Sequence, residues 1–306
     1  MAINNNYAQH LCVAMASILK NKNKTDRLCF HILSSDLSQE NKNKIYQLQK
    51  IAPFQFDFVN VSLTQIEGLP INKPQTMPHA HISTYYRLFL ASLLPDLIKV
   101  IFLDSDLVVE CTLSELWNTT ADDCYFAGVR DVQEKENCRR LCLKKYCNAG
   151  VLLINLDAWR QADVEAKFMR LASEQAEKLD YLDQDILNWT LQDRINYLPL
   201  RYNAQVGPTQ AFAQYNQTAY NERAIIHYVG KIKPWHEWGF CYPFIGRYLQ
   251  YLALTPFTKQ TVKIKQQQNY LKAKLRIKEK IKNFAYALVG KSYKSNLPAY
   301  VKKALQ

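Results

Sequence analysis

Two aspartates separated by one residue, Asp104 and Asp106, close the apolar run Val100-Ile101-Phe102-Leu103 in the segment KVIFLDSDLVVE, residues 99–110. Side chains alternate along an extended chain, so both carboxylates point to the same side. Like charges there repel unless a cation lies between them. A hard divalent ion such as Mg²⁺ or Mn²⁺ takes carboxylate oxygens and tolerates sharing with a phosphate. Taken alone, the pair also fits a strand that runs into a solvated acidic turn.

A second group of reactive types sits in HYVGKIKPWH, residues 227–236. His227 offers a neutral imidazole to a borderline metal. Gly230 lets the backbone approach a phosphate, and Lys233 offers it a compact positive charge. Singly these are a strand-edge histidine, a turn glycine and a solvated lysine; together they are a cationic counterpart to the two aspartates. In YLDQDILN, residues 181–188, Asp183 and Gln184 open a helix, where an acid is ordinarily a cap. Asn148 opens NAGVLLINL, residues 148–156, where a turn residue is the ordinary expectation.

Something must hold these groups together. The pattern before Pro256 alternates between strand-like and helix-like segments, the signature of βαβ units in an α/β fold. Helices are expected over YAQHLCVAMASILKN, SQENKNKIYQLQKI, STYYRLFLASLLP, DVEAKFMRLASEQAEKL and QDILNWTL, and strands over LCFHILS, FQFDFVNV, YFAGVRD, NAGVLLINL, INYLPL and AIIHYVG. The uninterrupted run before Asp104 predicts a strand covered on both faces in the middle of a parallel sheet, with Asp104 at its carboxyl end, where such sheets bind ligands. The first helix has almost no strand before it: either residues 1–4 are its stub, or the true start lies upstream.

The chain has 306 residues, 48% of them hydrophobic, enough for one large domain or two small ones. No apolar stretch approaches a membrane span and no secretory leader is evident, which predicts a cytosolic-side protein. Eight scattered cysteines without a C-x-x-C pair predict reduced thiols, Cys138, Cys142 and Cys147 included. Residues 259–306 hold twelve lysines and Arg276 against the single Glu279, which is the whole formal +12, so residues 1–258 are neutral. This divides the chain into a neutral domain, 1–258, and a basic tail, 259–306. In the tail, Tyr270, Ile277, Ile281, Phe284 and Leu288 fall on one helical face, with Leu271 and Leu275 off the stripe. A basic amphipathic helix suits an anionic membrane surface. Nucleic acid is the rival partner and is not expected, because the apolar residues form a stripe. A solvated, partly disordered tail is the third reading.

The segments NNNY, HISTYYRL, FLDSDLVV, NAGVLLINL, LDQDILN and HYVGKIKPWH resemble, in order and spacing, glycosyltransferase family 8, and within it the lipopolysaccharide galactosyl- and glucosyltransferases. The resemblance spans about residues 2–250. It implies a GT-A fold, a Rossmann-like α/β domain with a central mixed sheet whose first strand is truncated here. It further implies a UDP-sugar donor and Mn²⁺, with Mg²⁺ as the alternative ion. By position, Asp104, Asp106 and His227 match the metal ligands. Gly230 and Lys233 match the diphosphate contacts, and Ser105 falls within the nucleotide-sugar site. Asn4, Asn6 and Tyr7 match the uridine loop, although the family usually has an acid where Asn4 stands. Arg87, Asn148, Asp183 and Gln184 match residues around the donor sugar, and His79 matches an acceptor contact. The implied activity is a retaining transfer of galactose or glucose to a lipid-anchored oligosaccharide at the inner face of the cytoplasmic membrane, with Asp183 and Gln184 as the catalytic pair. Retention through a covalent intermediate and retention through same-face attack are both open, with same-face attack favoured because an amide is a poor nucleophile. The competing function is an impaired homologue that only docks on membranes.

Overall fold

The computed structural model describes residues 1–70, 81–120 and 123–289, with the side chains of residue 65 and of residues 280–289 left aside. His79 lies outside the described residues, as do the side chains of Ile281, Phe284 and Leu288. Among the described residues there are nine strands: β1 Cys29–Ser34, β2 Gln55–Asn60, β3 Lys99–Leu103, β4 Leu107–Val109, β5 Phe126–Arg130, β6 Cys147–Asn155, β7 Ile195–Tyr197, β8 Ala204–Val206 and β9 Ile225–Tyr228. They form a parallel pair β1-β2, a mixed sheet β3-β6-β5-β7 and a second mixed sheet β4-β9-β8. Helices separate most of them, giving the mixed α/β GT-A architecture.

Residues Met1 to Ile3 do run as a short strand-like stub. Ala2 bridges Leu33 in parallel, Leu33 N–H donates to Met1 O (2.9 Å) and Ile3 N–H donates to Leu33 O (3.0 Å). The helix Ala8–Asn21 follows and buries eleven of its residues. Its Ser17 hydroxyl accepts the N–H of Val109 at 2.8 Å and its Asn21 amide donates to Val109 O at 3.0 Å, which fixes β4 against the helix.

Two local expectations are corrected. β3 is not in the middle of a parallel sheet; it ends its sheet and pairs antiparallel with β6. Its continuous apolar run is still used on both faces, since Phe102 packs into one core cluster and Leu103 into another. The segment STYYRLFLASLLP is mostly 3₁₀, Ile82–Phe89, with α-helix only over Leu90–Leu93. Residues three apart eclipse in a 3₁₀ turn. Thr84 and Arg87 therefore share a face, and both meet Asp183. Sequence patterning passes over the strand β8 and the helices Glu134–Leu141, Ala213–Asn221 and Ile245–Leu252, although Ile245, Tyr248, Leu249 and Leu252 fall at helical spacing in the last of them.

The helix Lys259–Val289 carries nine of the thirteen basic residues after Pro256. Ile264 and Gln268 are buried, and Leu271 and Leu275 are half-buried, so the residues off the expected stripe form the inward face. Tyr270 and Ile277 on the expected stripe are 70% and 58% exposed. No helix among the described residues is long and apolar enough to cross a membrane.

Candidate active site and metal centre

The Asp104-Ser105-Asp106 turn is anchored at both ends. Asp104 N–H donates to Gly150 O of β6 (2.8 Å), and Tyr228 N–H of β9 donates to Asp106 O (3.0 Å), while Leu107 stands opposite His227 in the β4–β9 register. These anchors bring the aspartates to the histidine. One ligand atom from each of Asp104, Asp106 and His227 lies within 4.8 Å of the others, and Ser105 is buried between the two acids. His227 Nε2 is 3.2 Å from Asp106 Oδ1 and 3.8 Å from Asp104 Oδ2.

A relay of amides fixes the histidine's tautomer. Gly150 N–H donates to Asn148 Oδ1 (3.0 Å), which settles the orientation of that amide. The same oxygen accepts from Asn203 Nδ2 (2.9 Å), so Asn203 Oδ1 faces His227 Nδ1 at 2.9 Å. A carboxamide oxygen can only accept, so a neutral imidazole here carries its proton on Nδ1 and turns the Nε2 lone pair toward the carboxylates. In that neutral form the three side chains present a donor set of two carboxylates and one imidazole that fits a divalent ion such as Mn²⁺. Gly150 is needed where it is: a Cβ would lie 2.2 Å from His227 Cε1.

Charged neighbours flank this group. Lys233 Nζ donates to Asp106 Oδ2 and to Tyr228 O, both at 2.6 Å. Burial pushes the Asp106 carboxyl up, but the Lys233 ammonium beside it is the largest cause holding the group well below the usual carboxylate range. Buried Arg87 pairs with Asp104 Oδ1 (2.7 Å) and Asp183 Oδ2 (2.9 Å) and donates to Ala149 O (2.5 Å), tying the metal group to Asp183. Burial raises the Asp183 carboxyl to about 6 in spite of Arg87 and the Thr84 hydroxyl. Asp183 is not the N-cap of its helix, Leu182–Leu191, which is Tyr181. That helix opens with Leu182 at φ +46°, a left-handed residue, and turns Asp183 and Gln184 inward. Gln184 Oε1 accepts from Ala149 N–H (2.9 Å) and Asn148 Nδ2 (3.2 Å), and Nε2 lies 3.4 Å from buried Asp131 Oδ2.

Of the uridine-loop candidates, Tyr7 lies near enough to Asp106 and Asp104 to feel their charge. Asn4 is buried, and its side-chain oxygen accepts the Tyr7 N–H at 3.2 Å; Asn6 is exposed. Burial and the charges of Asp106 and Asp104 push the Tyr7 phenol up to about 12. The Trp235 ring stacks on His10 with centroids 3.6 Å apart and meets Tyr7 edge-on at 6.3 Å. Gly230 turns the chain after β9 with φ +88°, a conformation that favours glycine.

Asp104, Asp106, His227, Lys233, Arg87, Asn148, Asp183 and Gln184 thus share one connected network of contacts, in place of the expected solvated turn and turn asparagine, while exposed Asn6 stands outside it. Sequence patterning missed Asp131, Asn203, Thr84, Gly150 and the His10–Trp235 stack. Asp131 ends a recognisable strand, YFAGVRD, and Gly150 sits inside a quoted motif; Asn203 carries no local signal.

Residues 1–239 match the profile of Glycosyl transferase family 8. The chain belongs to glycosyltransferase family 8. It is 32% identical over 253 residues to a lipopolysaccharide 1,2-glucosyltransferase of Escherichia coli, covering 77% of this chain and 72% of that protein. It is 26% identical over 278 residues to the lipopolysaccharide 1,3-galactosyltransferase of Salmonella typhimurium, covering 84% and 77% respectively. The crystal structure of galactosyltransferase LgtC in complex with donor and acceptor sugar analogs superposes with a TM-score of 0.71 at 27% identity, over 83% of this chain and 95% of that one. As a family 8 protein the chain is a transferase of sugars, with a sugar donor, an oligosaccharide acceptor and a group of side chains compatible with a divalent metal.

Proposed function

We propose that this family 8 enzyme is a retaining hexosyltransferase that moves galactose or glucose from a UDP-sugar to a lipopolysaccharide or lipooligosaccharide acceptor. The observation that carries this reading is the convergence of Asp104, Asp106 and the bare Nε2 of His227, flanked by Lys233 and Arg87. A Mn²⁺ or Mg²⁺ ion held by those three side chains would supply Lewis-acid stabilisation to the departing diphosphate. Lys233 adds a fixed positive charge there, and the backbone at Gly230 approaches the same group. Asn4, Asn6 and Tyr7 bind the uridine, Ser105 and Asn148 line the donor, and His79 faces the acceptor. As the bond from C1 to the β-phosphate oxygen breaks, UDP keeps the electron pair and the sugar becomes oxocarbenium-like. Asp183 is paired with Arg87 and Thr84, and Gln184 Oε1 already accepts two hydrogen bonds. Neither is a free nucleophile, which favours same-face attack by the acceptor hydroxyl, with Asp183 and Gln184 giving electrostatic support.

The basic helix brings residues 1–258 to the inner, anionic face of the cytoplasmic membrane, where a lipid-anchored acceptor would be presented. The test is UDP release from UDP-glucose and UDP-galactose by the purified chain, with Mn²⁺, Mg²⁺ or a chelator, and with lipooligosaccharide as acceptor. Metal-dependent release from one hexose and a product of unchanged anomeric configuration are expected. Equal release in chelator removes the metal from the scheme, an inverted product removes retention, and no release from either sugar returns the chain to the membrane-docking reading.

A further inference from the structure

The catalytic loop 233–236 is held from outside the sheets by a residue of the basic helix. Gln268 lies in the third turn of that helix and is 4% exposed. Its Nε2 donates one hydrogen to Pro234 O (2.8 Å) and the other to His236 O (3.0 Å), on either side of Trp235. A mid-helix glutamine gains nothing for its own helix from such bonds, since helix propensity rests on backbone bonds and side-chain entropy. What they fix is the loop. Lys233 precedes the first of those carbonyls and reaches Asp106, and Trp235 between them stacks on His10 beside Tyr7. The turn Glu237–Cys241 closes the other side, and a Cβ on its Gly239 would lie 2.3 Å from Pro234 O. Ile264, one turn before Gln268, joins the apolar cluster of Tyr228, Tyr242 and Tyr248 and docks the helix on the same region.

We infer that Gln268 is a positioning residue for sugar transfer: its two donors lock the 233–236 loop so that Lys233 is aimed at the diphosphate position. The inference rests on the proposed role of Lys233. The basic helix then has a task inside the donor site besides carrying charge.

Gln268→Met keeps the side chain's volume and removes both donors. A misaimed charge costs transition-state stabilisation more than donor binding, so kcat should fall about tenfold with donor KM within about twofold. Two groups acting as one unit are not additive, so in a Lys233→Ala background the same change should cost less than about twofold. Wild-type kcat in Gln268→Met, or equal fold losses in both backgrounds, overturns the inference alone. Wild-type kcat in Lys233→Ala overturns the assignment of Lys233 and the inference with it. A readout independent of turnover is hydrogen exchange without substrate. Faster exchange across residues 233–239, with the helix Ala8–Asn21 unchanged, is expected, and unchanged exchange at 233–239 counts against the lock. If Gln268→Met does not accumulate folded, Gln268→Asn is read by the same outcomes, because its amide is one methylene too short to span both carbonyls.

Discussion

The Asp183 carboxyl ionises at some cost to folding. Burial raises it to about 6 from the ordinary 3.8. Between those values the folded chain binds a proton that the unfolded chain has lost, so the group's contribution falls as pH rises through the window and levels off above it. Asp183→Asn removes that dependence. The variant should therefore gain stability relative to the wild type between pH 4 and 7, by up to about 3 kcal/mol, and paired thermal melts across that range measure it. Parallel pH curves would mean that Arg87 keeps Asp183 ionised throughout. Asn203 makes a different kind of contribution, through the proton on His227 Nδ1. Asn203→Ala frees the imidazole to adopt the other tautomer and should weaken Mn²⁺ binding about 10- to 100-fold, the usual loss when such a partner is removed. Calorimetric titration of the metal decides this, and unchanged affinity would show that the tautomer is set elsewhere.

At the scale of elements, the site depends on how closely β6 and β9 approach across the Asp104–Asp106 turn. Gly150 is what allows the approach, because any side chain there meets the His227 ring. Gly150→Ala should destabilise the fold by about 1–3 kcal/mol, the usual cost of an inserted methyl in a packed interior, and should lower metal affinity by displacing His227. A denaturant series with a parallel Mn²⁺ titration tests both, and full metal affinity would show that β9 gives way without moving the ligand. The segment patterned as a helix at STYYRLFLASLLP shows what periodicity leaves out. Its apolar spacing marks a buried element, yet the 3₁₀ winding that aligns Thr84 with Arg87 answers to Asp183, 99 residues away from Thr84 in sequence.

For the whole molecule, charge and packing divide the chain at different places. The charge excess begins at Lys259, but Ile264 and Gln268 pack against the domain, and Tyr270 and Ile277 face outward. Two truncations separate the roles. Ending the chain after Glu279 removes six of the thirteen basic residues after Pro256 but keeps the buried contacts. Its turnover on a soluble acceptor should match the full chain while its binding to anionic vesicles weakens. Ending it after Thr258 should abolish vesicle binding and also lower turnover, because the loop loses Gln268. Full-length binding should weaken as salt rises, since surface charge is screened within about 8 Å at physiological ionic strength. Vesicle co-sedimentation at low and high salt, with UDP release from both truncated chains, is the measurement. Equal sedimentation of all three would remove the tail from membrane binding.

The sequence by itself determined the family, the alternation of strands and helices, the two aspartates with their histidine, and the concentration of charge after Pro256, because each is carried by residue type and short spacing. It also marked Asp183, Gln184 and Asn148, with local alternatives that the buried contacts displaced. Only the tertiary structure decided that β3 is antiparallel at a sheet end, that Asn203 holds the His227 proton, that Gly150 makes room for the imidazole and that Gln268 reaches the loop of Lys233. The physical reason is that a glycine's clearance and an amide's partner depend on what another part of the chain brings within about 3 Å, the reach of a hydrogen bond, and no local pattern in the sequence records that.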